Sequence, residues 1–122
     1  MTVLSGIGAL LPGVKVDNWA FEPCGYSMNG LRGDFYYTVH ITPEPGVSYA
    51  SFETNDPQYR EPHWVERIAA TLAPSALTLT LTTRNVGCKL EACDLIGFER
   101  TALEITQLDK DVSFCAMNFA RI

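Results

Sequence analysis

The chain has 122 residues, of which 47% are hydrophobic and 19% charged, and its formal net charge is −5. That length suits one domain or half of a larger one, and the composition excludes a disordered chain. The acidic balance argues against nucleic acid, which needs clustered Lys and Arg, and no apolar run is long enough to span a membrane. The first eleven residues lack a basic n-region and a cleavage site, so no signal peptide is expected and the chain is read as cytoplasmic.

Thr2 to Gly13 reads as an opening loop, because three glycines and Pro12 disfavour a helix there. Val14 to Asp17 alternates and starts an edge strand. The stretch from Phe21 to Gly30 is too rich in small, polar and sulfur residues for a plain core strand. After it, Phe35 to Thr42 is dense in aromatic and β-branched residues, which fit a pleated, half-buried surface. Pro43-Glu44-Pro45-Gly46 breaks that run, and Val47 to Glu53 resumes it. The pattern predicts three antiparallel strands, turning first at Arg32-Gly33-Asp34 and then at the Pro-Gly segment. Arg32-Gly33-Asp34 spells an adhesion tripeptide, but here it reads as a turn.

Asn55-Asp56-Pro57 carries helix-start chemistry, a short polar cap and then Pro. Trp64, Val65, Ile68, Ala69 and Leu72 follow at helical spacing, so a helix is expected from Asp56 to Ala73. Leu77-Thr78-Leu79-Thr80-Leu81-Thr82 alternates strictly, leucines to one side and threonines to the other. Asn85-Val86-Gly87 reads as a turn, and two more strands are expected at Ile96–Leu108 and Val112–Arg121. The layout is α+β, an antiparallel sheet of six or seven strands with a helix on one face, in a single domain covering 1–122. One helix cannot cover such a sheet. Phe35, Tyr37, Tyr49, Phe52, Phe98, Phe114 and Phe119 are therefore expected to leave an aromatic face for a partner.

The cysteines are Cys24, Cys88, Cys93 and Cys115, and none forms a CxxC pair. The spacing of Cys88 and Cys93 leaves a metal or disulfide reading open. Reduced, mostly buried thiols are preferred, and no metal is expected, since the chain has only two histidines, far apart in sequence.

Two segments carry a resemblance. Pro23-Cys24-Gly25-Tyr26-Ser27-Met28-Asn29-Gly30 and His40-Ile41-Thr42-Pro43-Glu44, at this spacing, resemble the C-terminal half of eukaryotic-type S-adenosylmethionine decarboxylase. Ser5-Gly6-Ile7, Leu11-Pro12-Gly13, Phe21, Ser48-Tyr49 and Ser51-Phe52-Glu53-Thr54-Asn55 fit the same family. The resemblance implies a fold that is half of a four-layer αββα sandwich. It also implies decarboxylation of S-adenosylmethionine for spermidine and spermine synthesis. The family's cofactor is a pyruvoyl group made by self-cleavage at a serine; its carbonyl forms a Schiff base with the substrate and acts as an electron sink.

Carried over by position, Phe21 is implied to stack on the adenine and Glu44 to accept bonds from the ribose hydroxyls. Ser27 and His40 are implied to assist self-cleavage, the imidazole by moving a proton and the hydroxyl by holding the intermediate. Glu53 is implied to belong to a charge cluster that answers putrescine in some members. The family's pyruvoyl-forming serine sits in a Leu-Ser-Glu-Ser-Ser type of segment, and none occurs in these 122 residues. The chain by itself is therefore expected to be inactive, and is read as a fragment, a split gene product or a free-standing half that needs an N-terminal half. Two alternatives stand beside this: a catalytically dead regulatory subunit that activates a decarboxylase partner, and a ligand-binding module without chemistry.

Overall fold

The computed structural model describes residues 7–20, 25–46, 48–84 and 94–122. Seven strands lie among them: β1 (Lys15–Ala20), β2 (Tyr26–Arg32), β3 (Phe35–Thr42), β4 (Tyr49–Thr54), β5 (Ala76–Arg84), β6 (Phe98–Asp109) and β7 (Val112–Arg121). Between β4 and β5 come a 3-10 turn, Pro57–Arg60, and the helix α1, Pro62–Leu72. All strand pairing is antiparallel, so the α+β class holds. The strands form two hydrogen-bonded sheets, β1-β2-β3-β4 and β5-β7-β6, and not the single sheet expected. Alternation marks a strand but does not say which distant strand it pairs with. The chain divides into two compact units, Met1–Tyr59 and Arg60–Ile122, with one sheet in each.

In the first unit β2 and β3 close on a two-residue loop, because Arg32 pairs with Phe35. Gly33 there has φ 61, a backbone state that costs an L side chain energy and glycine almost none. Strand alternation puts Tyr26, Met28, Tyr37 and Val39 on the buried face, and Phe52 stands opposite Val39. Tyr59 completes that core, its ring 5.7 Å from Tyr37 and 5.6 Å from Phe52. Its hydroxyl donates to the Leu10 carbonyl at 2.5 Å. Residues 7–10 form a helical turn where a loop was expected, with Ile7, Leu10 and Leu11 buried. Packing of these apolar side chains overrides the low helix propensity of the glycines.

Gly30 is buried where β1 crosses close to β2. A Cβ there would lie 2.5 Å from the Val14 Cγ1 and 3.4 Å from the Lys15 carbonyl oxygen. Gly30→Ala is therefore expected to destabilise the chain by about 1–3 kcal/mol, the range for overpacking a filled site. Urea unfolding measures it, and a loss under about 0.5 kcal/mol would show that β1 yields freely.

In the second unit the alternation of β5 is realised. Leu77, Leu79 and Leu81 pack against a cluster of Val65, Leu95, Cys115, Met117 and Phe119, while Thr78, Thr80 and Thr82 stay exposed. The helix contributes Val65 and Ala69 as its buried residues, as its apolar stripe predicted. It is shorter than expected. Pro62 lacks an N–H and its ring would clash inside a helix, so it takes the first helical position and the preceding residues are left as the 3-10 turn. At the other end Ala73 adopts the left-handed conformation and its N–H bonds the Ala69 carbonyl at 2.8 Å.

The aromatic surplus is smaller than the sequence suggests. Tyr37 and Phe119 are 0% and 2% exposed, and of the seven aromatics named only Tyr49, at 66%, is fully open. Phe35, Phe52, Phe98 and Phe114 are half-buried. Cys115 is buried in the second core, whereas Cys24, Cys88, Cys93 and the turn at Asn85-Val86-Gly87 lie outside the described residues.

Candidate functional site

One face of the four-stranded sheet is the buried face just described; the other carries a run of polar groups together with the exposed Leu31, Tyr36 and Tyr49. The pairing register sets the second face residue by residue. Ser27 on β2 stands opposite His40 on β3, and His40 stands opposite Ser51 on β4. One step along, Asn29, Thr38 and Glu53 form the next row. Ser27, His40, Ser51 and Glu53 therefore share a face, as side chains two residues apart on a strand must.

Within the first row, Ser27 Oγ lies 2.9 Å from His40 Nδ1. The hydroxyl donates when Nδ1 is the bare nitrogen of a neutral ring and accepts when the ring is charged. Ser27 is half-buried and His40 exposed, so the pair is open to a reacting group while the strands hold its spacing.

Glu44 lies in the loop that follows β3, exposed, four residues beyond His40. Its N–H donates to the Thr42 carbonyl at 3.1 Å and its carbonyl accepts from the Ser48 hydroxyl at 3.0 Å. The loop backbone is thus tied down while the carboxylate remains accessible. Phe21 lies outside the described residues. Four of the five residues singled out in the sequence are accordingly placed: Ser27 and His40 in contact, Glu53 on the same face, and Glu44 at the end of the same strand.

A second polar cluster was not foreseen. Asp56, 5% exposed, accepts from the Tyr37 hydroxyl at 2.5 Å and from Arg32 Nη2 at 2.6 Å through Oδ2. Its Oδ1 accepts from the Gln58 N–H at 3.1 Å. Burial alone would raise its pKa, but the Tyr37 and Gln58 bonds and the Arg32 charge outweigh burial and hold the carboxyl below the usual carboxylate value. Burial first, and then the bond to Asp56, push the Tyr37 hydroxyl up to about 12. In the sequence Asp56 is legible only as a capping residue. Ser51 entered only as part of a resembling segment, with no role, although its register with His40 follows once the hairpin is drawn.

The sequence model for adenosylmethionine decarboxylase matches residues 1–120. The chain belongs to this family. It is 48% identical over 128 residues to the S-adenosylmethionine decarboxylase proenzyme of Solanum chilense, covering 99% of this chain and 36% of that protein. The Xenopus laevis proenzyme is 36% identical over 132 residues, covering 100% of this chain and 38% of the relative. The Dictyostelium discoideum proenzyme is 63% identical over 54 residues, or 44% of this chain and 14% of that protein. The chain thus spans less than two-fifths of the length of these relatives. Its fold matches a solved structure described as the Trypanosoma brucei AdoMetDC-delta26 monomer. The TM-score is 0.84 over 98% of this chain and 51% of that one, at 20% identity. The chain has the fold of about half of that protein.

Proposed function

We infer that this adenosylmethionine decarboxylase chain supplies the adenosine-binding and self-processing groups of a composite active site, whose pyruvoyl-forming serine comes from an N-terminal half. The 2.9 Å contact between Ser27 and His40 on an open sheet face carries this reading. A strand histidine serving only the fold is usually satisfied inside it; this one is exposed and bonded to a hydroxyl.

The residues fit the implied group. Among the described residues, the face offers a hydroxyl and an imidazole at hydrogen-bond distance from each other, suited to a carbonyl and its hydroxyl precursor. When bound, the pyruvoyl group supplies the carbonyl that takes up electrons as carbon dioxide leaves. Ser27 Oγ is assigned to hold an oxygen at the reacting centre. The His40 ring is assigned to take a proton from that oxygen or return it, since imidazole exchanges protons near neutral pH. Glu44 is assigned to the ribose hydroxyls, because two carboxylate oxygens accept a pair of donors well. Phe21 is assigned to the adenine and Glu53 to a charge cluster that answers putrescine. S-adenosylmethionine is the substrate in this reading, and spermidine and spermine synthesis uses the product.

Co-expression with an N-terminal half tests it, by release of labelled carbon dioxide from S-adenosylmethionine. Activity in the mixture alone supports the composite site. Stimulation of a partner that is already active would instead make the chain a regulatory subunit. Glu44→Gln is expected to weaken substrate binding by about 1–3 kcal/mol, the usual loss for a charge-assisted hydrogen bond. An unchanged Michaelis constant would remove Glu44 from the site.

A further inference from the structure

His40 stands on β3 between two serines, not one. Ser27 is its partner in register on β2 and Ser51 its partner on β4. Directly opposed residues on one face have Cβ atoms about 4.5–5.5 Å apart, so both hydroxyls lie within reach of the ring. In the structure Nδ1 is bonded to Ser27. Ser51 is half-buried, and no hydrogen bond reaches its hydroxyl from any described residue. Rotation of His40 about χ1 from one staggered well to another carries the ring from the β2 side to the β4 side. Because His40 is exposed, no core packing opposes that movement.

We propose that His40 is a two-position side chain and that Ser51 is its second hydrogen-bond partner, a positioning residue for the imidazole. While Ser27 is occupied with a reacting oxygen, Ser51 takes over Nδ1 and keeps the imidazole on the sheet, which leaves Nε2 to exchange the proton. A hydroxyl serves either protonation state, donating to a bare nitrogen and accepting from an N–H. Among the described strand residues, the charged groups that share this face are Glu53 on β4 and, on β1, Asp17, which pairs with Asn29, and Lys15, which pairs with Leu31. The role given to the two positions rests on the self-processing reading of Ser27 and His40; the two positions themselves do not.

Carbon–carbon and carbon–nitrogen couplings across χ1 of His40, measured by NMR on the 122-residue chain with labelled histidine, test this. The other histidine, His63, is the internal reference. Ser27→Ala is expected to shift His40 to the β4-side rotamer by about two- to tenfold in population, the bias of one net hydrogen bond. Adding Ser51→Ala is expected to abolish the bias and average the couplings, and Ser51→Thr in the Ser27→Ala background to keep it. Identical couplings in Ser27→Ala and in the double variant overturn the proposal. Should Ser27→Ala not fold, Ser27→Cys, a near isostere and weaker partner, gives the same comparison. Normal self-cleavage in a His40 variant would overturn the processing role and leave the rotamer result untouched, so the two failures are distinguishable.

Discussion

His40→Ala, in the chain combined with an N-terminal half, slows backbone self-cleavage by about 10²–10⁴-fold, the usual contribution of a positioned proton carrier. The readout is the rate at which the uncut polypeptide gives way to two bands on a denaturing gel. The size of the effect follows from the face on which His40 sits. Its described neighbours there are Ser27, Asn29, Thr38, Ser51 and Glu53, and none of the neutral ones exchanges protons readily near pH 7. The chain's second histidine, His63, lies in the other compact unit. His40→Gln separates the roles, since an amide can hold Ser27 through a hydrogen bond but cannot carry the proton. It should be nearly as slow as His40→Ala. If Gln restores cleavage, the ring only holds Ser27 in place. Ser27→Ala should slow cleavage too, and the double variant by much less than the product of the two, because a bonded pair acts as a unit. Rapid cleavage in His40→Ala would remove the residue from the processing step.

How far the sequence foretold these elements depends on the range of the interaction that fixes each. Alternating Leu and Thr placed β5 and its buried side correctly, because that signal is local and strict. The Gly33 turn was legible for the same reason: a two-residue loop needs a residue that tolerates positive φ. Helix α1 was right in its stripe and wrong in its start. Two prolines, Pro57 and Pro62, both suit a first helical position, and only the second begins the helix. The division into two sheets was not legible, since it turns on pairings between strands far apart in sequence. The same limit hid the Asp56 cluster. Its partners lie 19 and 24 residues away, and no local pattern links a tyrosine on β3 to an aspartate beyond β4. Ser27 and His40, 13 residues apart, came from motif resemblance; their contact came from register.

Asp56→Ala is expected to destabilise the chain by about 2–4 kcal/mol, because it leaves the buried Tyr37 hydroxyl and the Gln58 N–H without their acceptor. Urea unfolding near neutral pH measures this, with Asp34→Ala in the exposed β2–β3 turn as a control expected to change stability by less than about 0.5 kcal/mol. The pH dependence gives a second check. The folded carboxyl of Asp56 titrates below its ordinary value, so its contribution is complete above about pH 4, the unfolded value, and is lost as pH falls through the folded one. Asp56→Asn should lack that acid limb. Tyr37 acts at the opposite end. Its folded value of about 12 lies above the ordinary value of 10, so its contribution is complete below the ordinary value and is lost as pH rises towards the folded one. With allowance for solvent screening, that alkaline loss should be on the order of 1–2 kcal/mol, and Tyr37→Phe should abolish it. Tyr37→Phe and Asp56→Ala should also fall short of additivity when combined, since each removes the same bond. Strict additivity, with an acid limb intact in Asp56→Asn, would mean that the carboxylate does not hold the Arg32 hairpin and the segment after β4 together.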